Sequence, residues 1–90
     1  MATVKFTSAL CRFFPDLKEM EIEGNTVNEV LKKIEQKVPG VAEYLLEEDG
    51  RLRKHVNIFL KEDMITDREK LSDQVKASDE ILIYQALSGG

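Results

Sequence analysis

The chain has one cysteine and one histidine in 90 residues, and each scarcity closes a class of function. A single cysteine, Cys11, excludes an internal disulfide framework and a cysteine-rich zinc site. A single histidine, His55, leaves one way to assemble a Cys–His nucleophile, from two residues in different segments. Both read as structural, a packed thiol and a strand histidine. Positive charge is not in excess either: 13 basic against 17 acidic residues give a net charge of −4, so no partner that requires phosphate neutralisation, nucleic acid above all, is expected. No apolar run approaches the ~20 residues of a membrane span. Residues 1–10 lack the apolar core of a signal peptide, so a cytoplasmic protein without a membrane partner is expected. No glycine-rich phosphate loop and no metal-ligand spacing occurs. The carboxylates fall at turns and on outer faces, where charge serves solubility. Nothing here points to an enzyme.

What is present is enough for one small core: 42% of the residues are hydrophobic, and a chain of this length forms a single domain. Val4, Phe6, Ser8 and Leu10 alternate with Thr3, Lys5, Thr7 and Ala9, the period of a half-buried strand. Residues 11–16 turn the chain, with Pro15-Asp16 as the breaker. Residues 17–23 alternate again, Met20 and Ile22 inward, Glu19, Glu21 and Glu23 outward, so the first two segments read as a hairpin with a loop of several residues. Thr26-Val27-Asn28-Glu29 is a capping box, and Val27, Val30, Leu31, Ile34 and Val38 follow at helical spacing until Pro39-Gly40. Val41, Tyr44, Leu45 and Leu46 suggest a short helical turn.

After the turn at residues 47–50 comes a small basic cluster, Arg51, Arg53 and Lys54. It reads as a solvated turn, with docking to an acidic partner as the alternative. Val56, Ile58 and Leu60 alternate with His55, Asn57 and Phe59 in a third strand, and a short fourth strand lies around Met64-Ile65. Residues 76–80 form a loop, and Ile81-Leu82-Ile83-Tyr84, apolar on both faces, is a central strand.

The strand then runs into Ala86-Leu87-Ser88-Gly89-Gly90. With glycine at roughly 7% of residues, a terminal pair arises by chance in about 0.5% of chains. A frayed end is the plain explanation, but the tail leaves the most apolar strand. Five residues extend ~17 Å, far enough to enter another protein's active site, and two residues without Cβ pass a narrow channel.

The strand–strand–helix–strand–strand order, the capped helix after the second strand, His55-Val56-Asn57-Ile58 with its following turn, and Tyr84-Gln85-Ala86-Leu87-Ser88-Gly89-Gly90 together resemble the ubiquitin-like sulfur carriers, which include MoaD, ThiS and the small archaeal modifier proteins. The longer segment 39–54, with Tyr44-Leu45 and Asp49-Gly50, looks like archaeal-type MoaD relatives. Many MoaD-like tails carry two prolines where this chain has Gln85-Ala86.

The resemblance implies an α+β fold of the β-grasp type: a mixed sheet of four to five strands with one main helix, a domain over residues 1–87 and a flexible tail over 88–90. It also implies that the Gly90 carboxylate, reached past Gly89, is adenylated by an ATP-using adenylyltransferase like the ubiquitin-activating enzymes. The product would become a thiocarboxylate that donates sulfur, as in molybdopterin synthesis or tRNA thiolation, or an isopeptide bond to lysines of target proteins. A large subunit of molybdopterin synthase is among the implied partners. The carrier itself would hold no cofactor, ATP being used by the activating enzyme.

By strand parity Ile81 and Ile83 face the helix, while Leu82 and Tyr84 face the other side of the sheet together with Phe59. An exposed apolar patch rimmed by charge marks an interaction site, and in the resembled family the residue six before the last glycine, here Tyr84, contacts partners. Leu82, Tyr84 and Phe59, with Leu87 and Ser88 of the tail, are therefore the expected partner-binding residues. A second reading is a non-catalytic interaction module of the same fold in which Gly-Gly is incidental.

Overall fold

A computed structural model describes residues 1–85. The expectations that fall on Leu87, Ser88, Gly89 and Gly90, and the boundary between domain and tail, lie outside the described residues. In chain order the elements are β1 (Ala2–Phe6), α1 (Ser8–Phe13), β2 (Met20–Ile22), α2 (Val27–Lys37), α3 (Val41–Leu45), β3 (Val56–Leu60), β4 (Asp63–Met64) and β5 (Glu80–Gln85). The five strands form one mixed sheet in the order β2-β1-β5-β3-β4. β1 and β5 run parallel; the other three pairs are antiparallel. The last strand thus occupies the middle of the sheet.

Helix α2 starts where the capping box places it. The Thr26 hydroxyl accepts from the Glu29 amide at 3.2 Å, which satisfies one of the four unpaired amides of a helix start. The return arm differs from the expectation: the Glu29 carboxylate accepts from the Asn25 amide at 3.4 Å, one residue before the cap. Val27, Val30, Leu31 and Ile34 are buried on one face of the helix. With Val4, Ile22, Val56, Ile58, Ile81 and Ile83 they belong to one apolar cluster. Burying each such side chain contributes roughly 1.5–3 kcal/mol, and this cluster is the main source of stability.

Three sequence expectations are corrected. Residues 8–10 do not continue β1; they open α1, and Leu10 reaches the core from a helix. Over three residues an alternating pattern cannot separate a strand from a helical turn, since Phe6, Leu10 and Phe14 also stand four apart. β1 and β2 do pair antiparallel, from Ala2 opposite Ile22 to Val4 opposite Met20, but a helix and not a simple loop joins them. Glu80, placed in a loop, begins β5 opposite Thr3.

Loops are held by carboxylates that accept backbone amides. Glu35, on α2, accepts from the amides of Gly40 and Ala42 at 2.9 and 2.8 Å, capping α3 from a neighbouring helix because its own N-cap, Gly40 at φ 101°, has no side chain. These donors lower the Glu35 pKa. In the loop between β4 and β5, Asp67 accepts from the amides of Glu69 and Lys70 and from Ser72, and its pKa falls to about 2. Asp73 accepts from Thr66 and the Asp67 amide. The ordered loop allows Leu71 to adopt φ 57° while 99% buried. That conformation costs an L residue about 1–2 kcal/mol, which burial of the leucine offsets.

Arg68 ties this loop to the start of β3. Its guanidinium donates to the carbonyls of Arg53 and Val56 at 2.7 and 2.8 Å and to Asn57 Oδ1 at 3.0 Å. Val56 in turn stands opposite Gln85. A loop residue distant in sequence therefore braces the end of the sheet where Val56 pairs with Gln85.

Candidate functional site

The site is built on the sheet face opposite α2 and on the end of β5. In β5, Ile81 and Ile83 are 1% and 0% exposed, whereas Tyr84 is 42% exposed and Leu82 half-buried. The parity read from the sequence is the observed one. Leu82 stands between Lys5 of β1 and Phe59 of β3. Phe59 in turn stands opposite Met64 of β4. Residues paired across strands share a face, so Leu82, Phe59 and Met64 form an apolar row over three strands, with Tyr84 next to it toward the C-terminal end of β5. Asn57, opposite Tyr84, is held by Arg68.

Met64, 48% exposed, was missed by sequence reasoning. The signal was available: closing the β3–β4 hairpin after Lys61-Glu62 sets Leu60 opposite Asp63 and therefore Phe59 opposite Met64. The positive φ of Lys61, 59°, makes that tight turn and is not legible from a lysine. Along the edge of the row, Lys5 pairs with Glu80 at 2.9 Å, which raises the lysine pKa through the hydrogen bond and the charge of its partner. Lys61 lies 3.5 Å from Asp79. The apolar row is thus rimmed by charge.

The Val56–Gln85 pair places His55 beside the C-terminal end of β5. His55 is exposed and lines a groove with Phe14, Gly40, Glu43, Tyr44 and Arg53. Phe13 and Phe14 both pack on the Tyr44 ring, with centroids 5.3 and 5.5 Å apart. The sequence reading did not assemble this aromatic cluster, because Phe13 and Phe14 fell in a segment read as a turn. The basic cluster is partly neutralised: Arg51 pairs with Asp49 at 2.8 Å and Arg53 with Glu47 at 3.0 Å, while Lys54 has no ion-pair partner among the described residues. The Cys11 thiol faces the Leu17 carbonyl at 3.6 Å. Among the described residues no group of three or more His, Cys, Asp or Glu side chains could hold a metal ion, and no helix is long and apolar enough to cross a membrane.

A mixed five-stranded sheet covered on one face by a helix, with the last strand central, defines a β-grasp protein of the ubiquitin-like class. Within that class the chain belongs to the ThiS family, whose model matches residues 4–90. It is similar to the CysO of Amycolatopsis orientalis, solved in complex with BexX, at 25% identity and a TM-score of 0.85 over 100% of both chains. It is also similar to small archaeal modifier protein 1 of Methanosarcina acetivorans, at 27% identity and a TM-score of 0.79 over 99% of this chain and 95% of that one. An Archaeoglobus fulgidus protein named "Putative sulfur carrier protein" is 29% identical over 72 residues, 80% of this chain and 82% of its own length. The family is one of ubiquitin-like sulfur carriers and modifiers.

Proposed function

We propose that this chain is a sulfur carrier and protein modifier activated at the carboxylate of Gly90. The observation that carries the reading is the family match running through Gly89 and Gly90, joined to a last strand that lies at the centre of the sheet. A Gly90 carboxylate oxygen attacks the α-phosphorus of ATP in the activating enzyme, a C–O–P link forms, and pyrophosphate leaves. The acyl adenylate is then open to a nucleophile. Hydrosulfide attack expels AMP and leaves a thiocarboxylate; attack by a lysine amine expels AMP, releases a proton and leaves an isopeptide bond. The carrier's own part is to present the terminus on a fixed body and to dock through Leu82, Phe59, Met64 and Tyr84.

The test is intact mass after incubation with the cognate activating enzyme, ATP and a sulfide source. Replacement of one oxygen by sulfur supports the carrier. An unchanged mass with an enzyme that still activates a control carrier supports the interaction module.

A further inference from the structure

The aromatic cluster near the C-terminal end of β5 has no role in the sheet-face site. Phe13 is 61% exposed, and a ring this open on a small domain contributes little to folding. Its neighbours Tyr44 and Phe14 line the groove that ends at His55, beside the Val56–Gln85 pair. Both pack against the apolar core on the helix side of the sheet, so the C-terminal end of β5 has an aromatic ring on each side: Tyr84 on the open face, this cluster on the other.

Charge adds direction. Arg12, next to Phe13, and Lys54, next to His55, are exposed and have no ion-pair partner among the described residues, in a chain whose net charge is −4. Among the described residues lining the groove, Glu43 is the one carboxylate.

Reach fixes the partner. Five residues separate Gln85 from the Gly90 carboxylate, at most ~17 Å of chain. An enzyme that encloses that carboxylate brings the mouth of its nucleotide site within that distance of Gln85, and the groove ends at His55, next to the Val56 that pairs with Gln85. We propose that Phe13, Tyr44 and Lys54 form a second docking surface for the activating enzyme, which presents there an apolar side chain and carboxylates. This rests on the reading of Gly90 as the activated group.

The experiment measures ATP–pyrophosphate exchange by the cognate activating enzyme against carrier concentration, for the wild type, Phe13→Ala, Lys54→Glu and the double variant, with a thermal melt of each. The expected result is a KM raised about tenfold in the double variant, a tenfold change being a modest interface effect, with kcat and melting temperature unchanged. Rising salt should raise the wild-type KM and lower that of the Lys54→Glu variants, in which it screens repulsion from the same carboxylates. A double variant with wild-type KM overturns the second surface and leaves the activation of Gly90 standing. A wild type that supports no exchange overturns both.

Discussion

Phe59 and Leu82 stand directly opposite each other across β3 and β5, on the face that α2 leaves uncovered. Both are half-buried, and Met64 extends the row. A cross-strand apolar pair of this kind stabilises a sheet by a few tenths to about 1 kcal/mol. Tyr84, two residues on in β5, is exposed on the same face.

The two faces of β5 should respond differently to truncation. Ile83→Ala removes a side chain that is 0% exposed and should cost about 2–5 kcal/mol. Tyr84→Ala should cost below about 1 kcal/mol and weaken binding of the activating enzyme instead. Urea unfolding of both, with a binding titration of the second, checks the pair; equal destabilisation would contradict the assigned parity.

Phe59→Ser and Leu82→Ser, made together, should leave the helix side of the core intact and raise the carrier KM in pyrophosphate exchange by at least tenfold. A wild-type KM would remove the open face from the docking site.

The fold was legible where one period dominates. Val27, Val30, Leu31 and Ile34 could only be a helix face, and Ile81 and Ile83 could only point away from Tyr84. Where two periods coincide, as from Phe6 to Leu10, the choice was made by tertiary contact: Leu10 is 0% exposed because a helical turn carries it into the core. The supports at Glu35, Asp67 and Arg68 were hidden for another reason. Each is a charged residue of ordinary appearance whose partners lie on other turns or other segments, and a sequence pattern carries no trace of such pairing. The same holds for the meeting of Phe13 and Phe14 with Tyr44.

Arg68→Ala should loosen the junction of the β4–β5 loop with β3. Three hydrogen bonds from one guanidinium are lost, and a hydrogen bond to a charged group contributes about 1.5–3 kcal/mol, so the melting temperature should fall. Amide exchange at Val56 and Asn57 should rise more than at Val4; uniform exchange across the sheet would contradict a local brace.

Acid should destabilise the protein through the loop carboxylates. Asp67, ordinarily at 3.8, is held at about 2, so its contribution is fully present above 3.8 and is lost as pH falls toward 2. Glu35 adds in the same direction below its ordinary 4.5. Denaturant midpoints taken from pH 5 down to 2 should decline, and the decline should be shallower in Asp67→Asn. An identical slope in that variant would show that the loop hydrogen bonds do not favour the ionised form.

The central claim is that Gly90 carries the chemistry and the folded body carries the recognition. Its most direct test is pyrophosphate exchange with the cognate activating enzyme, run on the full chain and on a chain lacking Gly90, each with a thermal melt. The account predicts exchange by the full chain, none by the shortened one, and equal melting temperatures. Full exchange by the chain without Gly90 would contradict it.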